Sequence, residues 1–393
     1  MKNKRLMFRW FVGSVLLLAA GLLGAWVALS FFREPRCDLS EIHFSYAAYE
    51  KDDMPVVKIY FATNREVKSA EQATFEDIPA SGLVFGTAEV RIPTGFQIGD
   101  MQTPEIPRAV NNPLLATIER VTLLSEADFY ADLSERLAQI NARMVNLLVH
   151  GMNHTFDSSI RQGGALAFGL NMPNPVVVFA WPAVPGILPE AYARSSGNVD
   201  SAAIGLEHFL EGFQKSIHPR KINIVAHSMG AQVVCKTFDA LLEEEEWNDA
   251  ETEIANVVFT APDVDHGDFY RHFVRQVAVL TRRVTVYVAN NDGILALSGF
   301  LNGEARAGVR TGRDAPPPGL TTLVAEDAEK LPQIEVIDAT FVNNAAYSHG
   351  YYSQSRPVFS DLCALLLYDQ GAENRRLLRL ENAQKANYWI IPP

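Results

Sequence analysis

The sequence is poor in cysteine, in positive charge and in repeats, and each shortage removes a class of protein. Its three cysteines, Cys37, Cys235 and Cys363, are too few for a disulfide scaffold and wrongly spaced for a zinc site. Cys235 and Cys363 lie in apolar runs and read as small buried hydrophobes. Among 393 residues, 34 Lys and Arg face 46 Asp and Glu, a formal net charge of −12. So acidic a chain lacks the basic face that phosphate binding needs, which argues against a nucleic-acid partner. No internal repeat is visible, which excludes a solenoid or propeller. Low complexity is confined to residues 243–246, read as the solvated end of a helix, and 316–318, a loop marker. With 48% hydrophobic and 20% charged residues the chain is neither disordered nor fibrous.

Charge-free runs that are apolar almost throughout and long enough for a membrane helix are also scarce, and the one that stands out lies near the N-terminus. Residues 11–32 (FVGSVLLLAAGLLGAWVALSFF) contain no charge over 22 positions. At 1.5 Å per residue a helix of that length reaches about 33 Å, enough to cross a hydrocarbon core of roughly 30 Å. Lys2, Lys4, Arg5 and Arg9 precede it, which predicts the N-terminus inside and the rest of the chain outside the cytoplasm. The run exceeds the apolar core of a signal peptide, and no clear small-x-small cleavage site precedes Arg33, so an uncleaved anchor is expected over a cleaved signal. The expected organisation is a basic N-terminus (1–10), a single-pass anchor in the inner (cytoplasmic) membrane (11–32), a linker (33–54) and one catalytic domain (55–393). Six basic residues and one acidic lie in residues 1–36, so residues 37–393 carry a net −17.

From residue 56 onward, short Val- and Ile-rich runs alternate with amphipathic stretches. Strands are expected at 56–62, 83–92, 145–149, 176–180, 222–226, 254–260, 284–289 and 334–337, as in a sheet covered on both faces. Helices are expected at 126–143, 157–170, 199–216 and 230–242. The alternation predicts an α/β fold with a mostly parallel central sheet and helices on both faces. Residues 183–198 and 299–332 break the pattern, are rich in Gly and Pro, and are expected to be lids or substrate walls. The second holds Arg306, Arg310 and Arg313, which could meet an anionic head group; an apolar acyl pocket is the other expectation.

The most informative run is INIVAHSMGAQVVC, residues 222–235. A strand passes through Ala226-His227-Ser228-Met229-Gly230 into a helix, the pattern of a nucleophile elbow with Ala in its first small position. Sterics demand this spacing: a serine on a tight strand-to-helix turn needs small residues two before and two after it. The turn lifts the Ser228 hydroxyl from the sheet and sets it near a helix N-terminus, which favours developing negative charge. Such a serine needs an acid and then a histidine downstream. His349 is the one histidine after Asp292. Asp292 follows the second strand beyond the elbow and is the expected acid. Asp263 and Asp265 at the end of the preceding strand, and Asp338 one strand later, compete for that role.

The strand at 145–149 runs into His150-Gly151-Met152-Asn153, the position of an oxyanion loop. Donors are expected from the amide of Met229 and, with Gly151 turning the chain, from that of Met152 or Asn153. His150 and His154 are expected to brace this loop. Asp263, Asp265, His266, Asp268 and His272 are dense enough to hold a divalent cation, but no metal-site pattern is present and a solvated loop explains them equally.

With these pieces in order, the chain resembles the α/β-hydrolases, and more narrowly an uncharacterised bacterial esterase/lipase-like branch, a domain-of-unknown-function family. The resemblance is carried by Phe61-Ala-Thr-Asn-Arg65, Phe85-Gly-Thr-Ala-Glu-Val-Arg-Ile-Pro93, Leu148-Val-His-Gly-Met-Asn153 and Phe179-Ala-Trp-Pro182. It continues through Ala226–Gly230, Asn291-Asp292, Arg306-Ala-Gly308, Ser348-His349 and Tyr388-Trp389. It implies the fold and the triad roles, and no substrate. The expectation is a membrane-anchored serine hydrolase with the triad Ser228, Asp292 and His349. It would act on a small-molecule or lipid acyl ester and need neither cofactor nor metal. The alternative is a catalytically silent envelope binding or assembly protein on the same fold.

Overall fold

A computed structural model describes residues 49–51, 54–93, 96, 116–170, 174–217, 221–244, 247, 253–269, 273, 277, 279–309, 333–343, 349–379 and 388–393. The elements in chain order begin with β1 (Tyr49–Lys51), β2 (Met54–Ser69), β3 (Thr74–Arg91), β4 (Thr117–Leu124), α1 (Glu126–Gln139), β5 (Met144–Val149), α2 (Phe156–Gly169) and β6 (Val176–Phe179). Then come α3 (Pro189–Gly197), α4 (Val199–Ser216), β7 (Lys221–His227), α5 (Gly230–Leu241), β8 (Glu253–Thr260) and a single turn, α6 (His266–Asp268). The chain closes with β9 (Thr281–Val288), α7 (Gly293–Asn302), β10 (Gln333–Asp338), α8 (Tyr351–Gln354), α9 (Arg356–Tyr368), β11 (Leu378–Arg379) and β12 (Tyr388–Ile390).

The strands form one sheet in the order β11-β12-β10-β9-β8-β7-β5-β6-β2-β3-β4, with β1 against β2. From β12 across to β2 every neighbouring pair is parallel. The antiparallel β3 and β4 extend one edge and β11 the other. The fold is therefore α/β with a mostly parallel sheet, as the alternation predicts. Side chains alternate between two apolar layers. Val145, Leu147, Val149, Ile222, Ile224, Val257, Phe259, Val284 and Val286 join Leu133, Phe209, Phe213, Val234 and Phe238 of α1, α4 and α5 in one core. The opposite face meets α2, where Phe61 packs edge-on to Phe156 at 5.0 Å, and α9, where the Tyr287 hydroxyl donates to Asp361 at 2.6 Å.

Helix starts follow their capping chemistry. Ser125 Oγ accepts the amide of Asp128 at the head of α1, and Thr155 Oγ1 accepts that of Ser158 at the head of α2. A polar ladder crosses the early part of the sheet: Asn223 donates to Asn146, Asn256 to Asn223 and Arg283 to Asn256, at 2.8–3.0 Å. Each amide of the row answers its neighbour, so the buried asparagines are paired across the strands.

Two expectations change. The stretch 183–198 contains a helix, α3, opened by Pro189 at its first turn, where a missing N–H costs nothing. The stretch 299–332 begins inside α7, which ends at Gly303 with φ 75°; residues 310–332, with Arg310 and Arg313, lie outside the described residues. Cys235 and Cys363 are both buried, as expected of small hydrophobes in apolar runs. Among the described residues no helix is long and apolar enough to cross a membrane. The anchor expected at residues 11–32 falls outside the described residues, as does most of the linker.

Candidate active site

β7 ends at His227 and α5 begins at Gly230, leaving Ser228 and Met229 to make the whole turn. Ser228 has φ 52°, a left-handed conformation that costs a non-glycine residue about 1–2 kcal/mol. Its own backbone bonds hold it there. Its amide donates to Thr260 O at 3.0 Å, while its carbonyl accepts from Ala231 at 3.0 Å and Asp263 at 3.1 Å. A Cβ at position 230 would lie 2.5 Å from Val149 O and 2.6 Å from His150 O, so the start of α5 can press on the end of β5 only with glycine there. Gly151 has the same role from the other side: its Cβ would stand 2.9 Å from the Ser228 Cβ. The two sequence-read glycines thus bring the His150–Asn153 loop directly against the serine.

Asp292 follows β9 and caps α7. Its Oδ1 accepts the Leu295 amide at 2.9 Å, and its Oδ2 accepts from His349 Nδ1 at 2.8 Å. One carboxylate oxygen fixes the helix start and the other holds the imidazole. With Nδ1 donating to the acid, Nε2 is the nitrogen left to receive a proton. The loops that carry the pair are stapled together: Asn291 and Asn343 exchange two bonds at 3.2 and 3.0 Å, and the Asn290 amide donates to Thr340 Oγ1 at 3.0 Å. Behind His349, the Tyr351 hydroxyl donates to Tyr287 O at 2.9 Å and accepts from the Ala261 amide at 3.0 Å. The rings of Tyr352 and His349 flank that of His227 at 4.4 and 4.8 Å.

Ser228, His349 and His227 share a cleft of about 600 Å³ with Met152, Asn153 and His154 of the oxyanion loop, and with Asp263 and Ser298. Its remaining walls are Ile187, Tyr192, Ile294, Leu297 and Leu301. Met229 is buried at the head of α5, whose first amides have no partner within the helix. Asn153, with φ 62°, uses its side-chain oxygen to accept the Gly186 amide at 2.6 Å, which ties the oxyanion loop to the 183–189 segment.

The other three acids have other partners. Asp263 Oδ1 accepts from Arg306 Nε and from Ser298 Oγ, both at 2.6 Å. Arg306, read from sequence as a group for an anionic ligand, is thus a buried counter-ion. Asp265 Oδ1 caps α6 through the Asp268 amide at 2.8 Å. Asp338 accepts from the Thr340 amide at 2.9 Å and the Tyr388 hydroxyl at 3.0 Å. Asp263 carries a cation already, so it is not placed to join the Asp265–Asp268 segment around a metal; His272 lies outside the described residues.

The imidazoles around the serine are electrically quiet. Burial, aided by the Arg65 charge, pulls His150 down to about 3. Burial and then neighbouring imidazoles hold His154 and His227 well below their ordinary value, so all three are neutral at pH 7. His150 also braces its loop, its ring stacked on Trp181 at 5.6 Å and its carbonyl accepting from Trp181 Nε1 at 2.6 Å.

Arg65 was quoted from sequence without a role, and the structure supplies one. Fully buried and ion-paired with Asp77, it donates to Ala180 O at 3.2 Å and to His154 O at 2.7 Å. A single guanidinium therefore clips the oxyanion loop to the end of β6. Nothing in the spacing of the sequence joins positions 65, 154 and 180; only parallel pairing of β2 with β6 does. Tyr192 and Ser298, which also face the cleft, come from segments that carry no motif.

Among curated proteins, none matches this sequence. Three solved structures share parts of the chain trace. A candidate cell surface hydrolase from Lactobacillus plantarum WCFS1 is 15% identical, with a TM-score of 0.35, over 58% of this chain and 94% of that one. Phospholipase PlaB from Legionella pneumophila is 14% identical, TM-score 0.25, over 50% and 38%. A candidate hydrolase from Agrobacterium vitis S4 is 13% identical, TM-score 0.26, over 66% and 91%. Likenesses this distant add nothing to the site. The family model "Alpha/beta hydrolase of unknown function (DUF900)" matches residues 125–365, a span that takes in the elbow, Asp292 and His349, and the chain belongs to that family.

Proposed function

We propose that the protein is a membrane-anchored serine hydrolase acting on carboxylic esters. The observation that carries this reading is the Asp292–His349 hydrogen bond at 2.8 Å beside a serine held in a left-handed elbow, in one cleft. His349 Nε2 takes the Ser228 proton as Oγ attacks the acyl carbonyl. Asp292 keeps the imidazole in the tautomer that can do so and stabilises the imidazolium. The amides of Met229 and of Met152 or Asn153 hold the oxyanion, with Gly151 letting their loop approach. His349 then protonates the departing alkoxide, and water, deprotonated by the same nitrogen, releases the acid.

The charge-free run at residues 11–32 supports an anchor in the cytoplasmic membrane, with residues 33–54 as linker and 55–393 as a hydrolase domain outside the cytoplasm.

The test is labelling of the full-length protein by a fluorophosphonate, with turnover of p-nitrophenyl acetate measured in parallel. Ser228→Ala should abolish labelling and lower kcat by at least about 10⁴-fold with the fold intact. Equal turnover by parent and variant would refute the role of Ser228. A folded parent that neither labels nor turns over would favour the silent binding protein.

A further inference from the structure

The walls of the cleft continue outward as an apolar rim. α7 has no charged residue over its whole length, and it exposes Leu297, Phe300 (83%) and Leu301. Residues 181–189 (WPAVPGILP) are equally free of charge and expose Ile187 and Leu188 (66%). Ile187, Leu297 and Leu301 belong both to this exposed set and to the cleft that holds Ser228. In a chain with 80 charged residues, two uncharged exposed segments lining one cleft are not an ordinary solvated surface.

We propose that this rim docks on a lipid surface, and that the substrate is a membrane-resident acyl ester whose chain passes from the lipid into the cleft. The proposal rests on the hydrolase reading above. The geometry favours lipid over a protein partner. Exposed Ile187, Leu297 and Leu301 are themselves part of the cleft wall, so a protein seated on them would crowd the cleft, whereas a lipid phase can both cover the rim and deliver an acyl chain. Lipid is also within reach. Sixteen residues separate Phe32 from Tyr49, a span of at most about 55 Å when extended. Neither of the two rim segments contains a Lys or Arg and residues 37–393 carry −17, so docking is by apolar insertion and needs no anionic head group. In the reaction the acyl–oxygen bond of the lipid breaks as Ser228 takes the acyl group. The serine proton passes through His349 to the departing oxygen, and water returns the acyl group as a carboxylic acid.

The test uses full-length protein in phosphatidylcholine vesicles. It compares hydrolysis of a fluorogenic phosphatidylcholine in the bilayer with that of p-nitrophenyl acetate in the water. Phe300 and Leu188 are exposed and lie outside the cleft lining, so Phe300→Ser and Leu188→Ser leave the chemistry alone. Together they should lower the lipid rate about tenfold or more while keeping the soluble ester within about twofold, at low and high salt alike. An unchanged lipid rate, or an equal fall on both substrates, overturns the docking role. A shift in sedimentation with no change in lipid rate also overturns it, and assigns the rim to a protein contact. If the parent neither labels with fluorophosphonate nor hydrolyses either ester, the hydrolase reading fails separately. Docking is then read from Phe300→Trp in vesicles of brominated phosphatidylcholine: quenching beyond that of the parent's own tryptophans keeps the lipid surface, and its absence removes it.

Discussion

Asp263 and Asp292 are near twins by position. Each follows the end of a neighbouring parallel strand, each is 2% exposed, and each bonds to α7, Asp292 at its first turn and Asp263 through Ser298 in its middle. They differ in the partner of the charge. Asp263 faces the guanidinium of Arg306, a cation at every accessible pH, whereas Asp292 faces an imidazole. A carboxylate already neutralised by arginine gains little when a proton arrives nearby. In the proposed mechanism, one paired with histidine sees a positive charge appear and vanish in each cycle, which is the condition for acting on a transition state. Chain order admits both acids; the choice of counter-ion separates them.

The sharpest way to break the comparison is to amidate each acid in turn. Asp292→Asn should cut kcat on p-nitrophenyl acetate by about 10³–10⁴-fold, because the amide favours the wrong tautomer of His349. Asp263→Asn should leave the Arg306 charge buried and unpaired, and cost about 3–5 kcal/mol of unfolding free energy in urea titration. Replacing both members, Asp263→Leu with Arg306→Met, should recover most of that loss, since no orphan charge remains. If Asp263→Asn instead abolishes turnover at full stability, the two acids have been assigned the wrong way round.

The same contrast marks what the sequence could reveal. Strands buried on both faces are written in Val and Ile, so β5 to β9 and the elbow are legible within three residues. β4 (TIERVTLL) has no fully buried position, and so no apolar run announces it. α3 hides behind Pro185, Gly186 and Pro189, residues that signal a loop until Pro189 is recognised as a helix start. The site is legible where a local turn dictates residue size, as at Ser228, Gly230 and Gly151, and where elimination leaves one histidine. It is illegible where function depends on strands meeting. Arg65 holding His154, and Arg306 turned inward to Asp263, are facts of packing that no spacing encodes.

The electrostatic setting of the loop beside Ser228 offers a smaller test. His150 sits in the loop against Ser228 and is held neutral down to about pH 3. In the unfolded chain it takes a proton near pH 6.5. Between these values the unfolded state binds the extra proton, so stability from this group is fully present above pH 6.5 and declines as pH falls toward 3. The expected slope is about 1.4 kcal/mol per pH unit. Other titrating groups contribute as well, so the quantity to measure is a difference: between pH 6 and 4.5 the parent should lose stability more steeply than His150→Gln. Parallel curves would mean that His150 takes up its proton in the folded protein.

The smallest effect concerns the bond that ties Asp263 to α7. Ser298 Oγ donates to Asp263 Oδ1 at 2.6 Å, and the same oxygen lies 3.3 Å from the Tyr192 hydroxyl and from Asn302 Nδ2. Ser298→Ala removes a hydrogen bond to a charged acceptor, worth about 1.5–3 kcal/mol. Two terms offset it: Arg306 still answers the carboxylate, and alanine suits a helix interior better than serine by about 0.5 kcal/mol. The net loss should be about 1 kcal/mol in denaturant unfolding, with turnover of p-nitrophenyl acetate unchanged within about twofold, because the bond serves the arginine-paired acid and not the histidine-paired one. A loss of turnover comparable to that of Asp292→Asn would show that α7 transmits the state of one acid to the other, and the two could no longer be treated as separate devices.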